Sequence, residues 1–137
     1  MLAIIVLAGC SSGSATGEPV EIRFSWWGSN DRNNATLAAV DIYNEMQDEV
    51  EIIPEYNDYA SYDTKISTQL AGGSEACLMQ IDNTWMDNYG TDKFVDLYDY
   101  ADEIGLDNYS DEVLSTMEYD DGKLVGLPMG IHTPVFI

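Results

Sequence analysis

Between Val20 and Ile81 the chain alternates three strand patterns with two helix patterns, and that alternation leaves few folds open. Val20-Glu21-Ile22-Arg23-Phe24-Ser25-Trp26 switches between apolar and polar residues at the strand period. Trp27-Gly28-Ser29-Asn30-Asp31 breaks the pattern, and Ser29 or Asn30 can cap a helix that starts there. Ala35, Ala39, Ile42 and Met46 recur at helical spacing, with Ala38 and Tyr43 beside them. Residues 50–56 form a second strand pattern, in which Pro54 disfavours a fully hydrogen-bonded central position. A second helix is expected over 59–70, with Tyr62, Ile66 and Leu70 on one side. Ala71-Gly72-Gly73 ends it, because glycine enters the left-handed conformation without a Cβ clash. Leu78-Met79-Gln80-Ile81 reads as a third, short strand. Strands separated by single helices pair in parallel through right-handed crossovers, so the fold class is α/β.

Beyond this unit, short helical pieces are expected around 84–89, 94–104 and 111–118. Residues 119–125 read as a hairpin about an Asp-Gly turn. The chain then enters Thr133-Pro134-Val135-Phe136-Ile137, an apolar, strand-like run in which it stops, so a longer parent sequence is expected.

The amino end carries a different signal. Leu2-Ala3-Ile4-Ile5-Val6-Leu7 is apolar but far short of the roughly 20 residues that span a bilayer. It has the character of a signal-peptide core whose basic leader is missing. The run closes as Leu7-Ala8-Gly9-Cys10, which resembles a bacterial lipobox. That likeness implies lipidation of Cys10, and two acyl chains supply the anchoring that one cannot. Residues 1–9 are thus expected to be a truncated lipoprotein signal, and 10–18 a flexible Ser/Gly tether. Cys77 then has no partner within the chain, and its apolar neighbours Ala76 and Leu78 favour burial.

Charge narrows the ligand. There are 25 Asp and Glu against 5 Lys and Arg, for a formal net charge of -20. Such a surface repels phosphate backbones and excludes nucleic acid as a partner.

In open parallel sheets, ligands bind outside the carboxyl ends of the strands. After the first strand come Trp27, Ser29, Asn30 and Asp31; after the second, Asp58 and Tyr59; after the third, Asp82, Asn83 and Trp85. All three Trp residues lie at these ends, beside short amides and carboxylates. That mixture suits a carbohydrate. Its C–H face packs on an aromatic ring, and its hydroxyls meet Asp acceptors and Asn donors and acceptors. Trp26 continues the apolar alternation and fits the core better than a ligand.

The ordered pattern Phe24-Ser25-Trp26-Trp27-Gly28, Tyr62 through Gly73, Gln80-Ile81-Asp82-x-x-Trp85, then Gly122-Lys123-Leu124-Val125-Gly126-Leu127-Pro128 resembles the extracellular solute-binding proteins of family 1. These are carbohydrate-binding lipoproteins of ABC importers. The likeness runs over 18–137 and implies a periplasmic-binding-protein-like (type II) lobe, a mostly parallel sheet flanked by helices, incomplete here. Residues 19–137 would be part of the first of two lobes in a chain several-fold longer. By the resemblance, the ligand-facing residues are Trp27, Ser29, Asn30, Asp31, Tyr59, Tyr62, Asp82, Asn83, Trp85 and His132, the last within the stretch 129–133. Its implied partners are a sugar or oligosaccharide, the permease subunits and, through Cys10, the membrane outside the cytoplasm. No metal, cofactor or catalytic residue is expected. Cys77 departs from the family, which usually has Asp there.

Three other readings compete. A polyamine- or peptide-binding importer subunit fits the acidic charge, but adjacent Trp residues suit a ring. A secreted carbohydrate-active enzyme would need two placed carboxylates, and among 25 acids some pair always looks suitable. A calcium-dependent module would draw on acid-rich stretches such as 107–112, which lack the spaced ligands and central Gly of an EF-hand loop.

Overall fold

The computed structural model describes residues 17–130, so Cys10, its flanking segments and the stretch 131–137 with His132 lie outside the described residues. Strands β1 (Val20–Trp27), β2 (Val50–Asn57) and β3 (Leu78–Met79) form one sheet in the order β2-β1-β3. Both pairings are parallel, with Trp27 opposite Asn57 and Ser25 opposite Met79. Helix α1 (Asn30–Met46) connects β1 to β2, and α2 (Tyr59–Gly72) connects β2 to β3. The α/β expectation holds, although β3 is two residues long rather than four.

Side chains alternate across β1, which sorts neighbouring residues to opposite faces. Phe24 and Trp26 share one face, with ring centroids 5.0 Å apart, and Tyr56 of β2 lies 5.4 Å from Trp26. Trp26 is buried there against α1, where its indole N–H donates to Asn33 Oδ1 at 3.0 Å. Arg23, Ser25 and Trp27 point to the α2 side. There Glu55 accepts from Arg23 at 2.5 Å and from Lys65 of α2 at 3.1 Å. Arg23 also donates to the carbonyls of Ser74 and Glu75, tying the α2–β3 loop to β1.

Helix α2 buries Tyr62, Ile66 and Leu70, the face its sequence prescribes. Asp58 caps its start by accepting from the Ser61 N–H at 3.1 Å, and Gly73 ends it at φ 63°.

Helix α1 corrects the sequence reading. Its inward residues are Asn33 and Val40, while Ile42 is 59% exposed and Met46 76%. The cause is polar. Asn44 accepts from the Ile52 N–H at 2.9 Å and donates to the Ile52 carbonyl at 3.1 Å. Gln47 does the same for Val50. These amides pair the outer edge of β2 with α1 and so fix which side of the helix faces inward. Pro54 shares the parity of Ile52, so its missing N–H falls on that outer edge and costs no bond to β1. Cys77 is a second correction: it is exposed, and Ala76 takes the buried position beside it.

Beyond β3 the chain is short helical pieces, as expected, each briefer than the span read for it. Helices α3 (Met86–Tyr89), α4 (Ala101–Ile104) and α5 (Asp111–Leu114) are single turns linked by 3₁₀ turns. Glycines at positive φ close two of them early, Gly90 after α3 and Gly105 after α4. The expected hairpin is a turn closed by one antiparallel bridge, Glu118 to Leu124, with Gly122 at φ 81°. Leu106, Leu114 and Leu124 form a separate buried cluster under these pieces. Among the described residues, no helix is long and apolar enough to cross a membrane.

Candidate functional site

The parallel sheet brings the carboxyl ends of its strands to one rim. Trp27 is the last residue of β1, Tyr59 the first of α2, and Trp85 ends the 3₁₀ turn Asn83–Trp85 that comes after β3. These residues from three connections form one aromatic group. Ring centroids of Trp27 and Trp85 are 5.2 Å apart, those of Tyr59 and Trp85 5.5 Å, and those of Trp27 and Tyr59 5.7 Å with the planes at 62°. Tilted and edge-on packing at these distances is favourable for aromatic pairs. Tyr59 is 55% exposed, while Trp27 and Trp85 are half-buried. The group therefore offers aromatic surface while resting on the core.

Tyr62 supplies that support. Its ring lies 5.3 Å from Trp27 and 6.3 Å from Trp85, yet it has 0% exposure. The expectation that Tyr62 faces a ligand is corrected: it sits one helical turn below Tyr59, under the rim. Burial pushes its phenol up to about 12, so it stays neutral at any physiological pH. Met79, Tyr89 and Phe94 pack around the same cluster. The Tyr89 hydroxyl donates to Asp63 of α2, and burial together with that carboxylate raises its pKa.

The polar candidates divide by role. Ser29 caps α1, accepting from the Arg32 N–H at 3.5 Å, while Asn30 and Asp31 are exposed in its first turn. Asp82 caps the turn carrying Trp85 and accepts from Thr84 N–H at 3.0 Å and Thr84 Oγ1 at 2.7 Å. Asn83 is exposed, and its carbonyl accepts from the Tyr119 hydroxyl at 3.2 Å. Asp58, beside Tyr59, is held below the usual carboxylate range by the Ser61 hydroxyl and N–H.

Asn33 is the residue the sequence reading missed. It is buried, accepts from Trp26 and donates to the Gly28 carbonyl at 3.3 Å. It thereby fixes the loop that leaves Trp27. A Cβ on Gly28 would meet Asn33 Oδ1 at 2.9 Å and Arg32 Cδ at 2.8 Å, so only glycine fits this approach. The signal available was its spacing from Leu37, Val40 and Asn44, which shares the inward stripe but is half polar.

The rim thus combines aromatic surface, hydroxyls, amides and carboxylates, the mixture of apolar walls and a few placed polar groups that small-ligand sites carry. A family profile described as bacterial extracellular solute-binding protein matches residues 38–137. The chain belongs to that family. It is similar to a periplasmic solute binding protein from Pectobacterium atrosepticum, with 38% identity and a TM-score of 0.76 over 81% of this chain and 27% of that one. An extracellular solute-binding protein family 1 member from Alicyclobacillus acidocaldarius is 31% identical, with a TM-score of 0.73, over 83% of this chain and 29% of its own. A periplasmic oligogalacturonide binding protein from Yersinia enterocolitica, solved with saturated digalacturonic acid, is 28% identical, with a TM-score of 0.71, over 77% of this chain and 26% of its own. The chain thus spans less than a third of the length of these proteins.

Proposed function

We propose that this chain is part of the first lobe of the extracytoplasmic substrate-binding component of an ABC importer, and that it captures a sugar or oligosaccharide for the permease. The observation that carries this reading is the convergence of Trp27, Tyr59 and Trp85 on one rim. A pyranose ring lays its C–H face on this surface. Asn30, Asp31 and Asn83, exposed at the same strand ends, are placed to receive its hydroxyls. Asp82 and Ser29 act mainly as caps that hold the loops in place. A second lobe closes over the sugar from the other side, and the ligand favours the closed form through contacts with both lobes. Lipidation of Cys10 and the tether 10–18 keep the protein at the outer face of the membrane. His132, outside the described residues, lies in the stretch 129–133 that the family likeness brings to the cleft. The role is binding, not catalysis.

The test is calorimetric titration of the protein expressed from its complete gene with neutral trisaccharides, beside Trp27→Ala and Trp85→Ala. Each substitution removes a stacking surface and is expected to weaken binding at least tenfold. Unchanged affinity in both variants overturns the site.

A further inference from the structure

Resting on the sugar-binding reading above, we infer that this site takes uncharged saccharides and discriminates against uronic acids. A census of charge at the rim carries the inference. Each of the three connections that build the aromatic group adds a carboxylate to it: Asp31 in the first turn of α1, Asp58 immediately before Tyr59, and Asp82 at the start of the turn that ends in Trp85. Two of the three cannot swing away when a ligand arrives. Asp58 is held by the N–H and hydroxyl of Ser61, and Asp82 by the N–H and hydroxyl of Thr84. Their negative charge is therefore part of the site whatever occupies it.

Three of the five cations are held in ion pairs with neighbouring acids. Arg23 and Lys65 are both spent on Glu55, within the layer between the sheet and α2. Lys93 stands 3.8 Å from Asp92 and lines a small surface pocket with Leu70 and Ala71 near the end of α2. Lys123 comes just after the Asp120–Gly122 turn. Arg32 stands at the rim, its stem lying over Gly28. A carboxylate-bearing sugar placed on Trp27 and Trp85 meets three like charges, two of them fixed, and one opposite charge. Like charges set against one another suppress the wrong partner, and at about 0.15 M salt they still interact within about 8 Å. A neutral sugar incurs no such repulsion and uses the same carboxylates as hydroxyl acceptors.

The experiment titrates the protein from its complete gene with mannotriose, maltotriose, xylotriose and cellotriose, with digalacturonic acid, and with spermidine, beside an array of neutral and acidic glycans. Expected is binding of a neutral glycan with digalacturonic acid at least about 100-fold weaker. In the triple variant Asp31→Asn, Asp58→Asn and Asp82→Asn, where the amide retains the capping acceptor, the preference for the neutral glycan over digalacturonic acid is expected to narrow at least tenfold, whatever the neutral ligand loses in hydroxyl acceptors. Equal or tighter binding of digalacturonic acid by the unmodified protein overturns the charge inference and leaves the sugar reading standing. Preference for spermidine, or no glycan bound on the array, overturns both.

Discussion

Trp26 and Asn33 share a buried hydrogen bond, indole N–H to amide oxygen at 3.0 Å, and that bond separates the fates of two adjacent tryptophans. Trp26 is drawn into the core on the α1 side, and Trp27, one residue later on a strand, must face the other way. Replacing Asn33 by Ala leaves the Trp26 N–H buried without an acceptor, which costs about 1–3 kcal/mol. It also releases the Gly28 carbonyl and loosens the loop carrying Ser29 and Asn30. Chemical denaturation is expected to show that loss, together with weaker sugar binding. Gly28→Ala is expected to act in the same direction, because its methyl group displaces the Asn33 oxygen.

Tyr59 and Tyr62 lie one helical turn apart, and substitutions at them are expected to separate binding from stability. Tyr59 is more than half exposed and packs on Trp27 and Trp85. Tyr59→Ala is therefore expected to weaken binding of the proposed sugar ligand several-fold with little change in Tm. Tyr62 is fully buried, and its hydroxyl, close to Ser25, makes no hydrogen bond of good geometry among the described residues. Tyr62→Phe removes an unsatisfied group and is expected to keep or raise Tm. Tyr62→Ala opens a cavity beneath both tryptophans and costs about 3–5 kcal/mol. A loss of stability in Tyr62→Phe would show that the hydroxyl is engaged.

The strand–helix–strand unit was legible because period-2 and period-3.6 patterns are carried by large apolar residues: Ile22, Phe24 and Trp26 on β1, and Tyr62, Ile66 and Leu70 on α2. Helix α1 was misread because its orientation is set by amides that bond backbone, Asn33, Asn44 and Gln47, and a hydrophobicity count does not see them. The rim's membership came from topology, since parallel strands must end on one side. Depth did not: Tyr59 and Tyr62 look alike in sequence, and only the packing of α2 on the sheet shows which one surfaces. After β3 the leucines of the second cluster come from two single turns, Leu106 and Leu114, and an isolated bridge, Leu124, with no period long enough to read.

Glu55 links β1, β2 and α2 through Arg23 and Lys65, and its pKa is lowered chiefly by the Arg23 hydrogen bond, with Lys65 adding to it against the opposing effect of burial. A carboxylate whose folded pKa is depressed stabilises the fold above the unfolded value, about 4.3 for Glu, and that contribution fades as pH falls through the folded value. Protonation of the many surface acids relieves repulsion over the same range, so the test is a difference. Tm measured from pH 7 to pH 3 is expected to fall more steeply below about pH 4.3 in the unmodified protein than in Glu55→Gln, with the two curves converging at the acid end. Parallel curves would mean that the ion pairs add nothing.

Leu124 ties the carboxyl-terminal pieces to the site from a distance. Its side chain is fully buried with Leu106 and Leu114, its N–H donates to Asp96 at 3.2 Å, and its carbonyl accepts from the Leu97 N–H at 2.8 Å. The same segment closes the turn whose Tyr119 reaches the Asn83 carbonyl. Leu124→Ala is expected to cost about 2–5 kcal/mol, as for other buried leucines. Because the Tyr119 contact braces the turn that bears Trp85, sugar affinity should fall with it, whereas Tyr119→Phe, which removes only the hydroxyl, should lower affinity and leave Tm nearly unchanged. A Tyr119→Phe variant that binds as the unmodified protein does would show that Asp82 and Thr84 hold Trp85 without help from this segment.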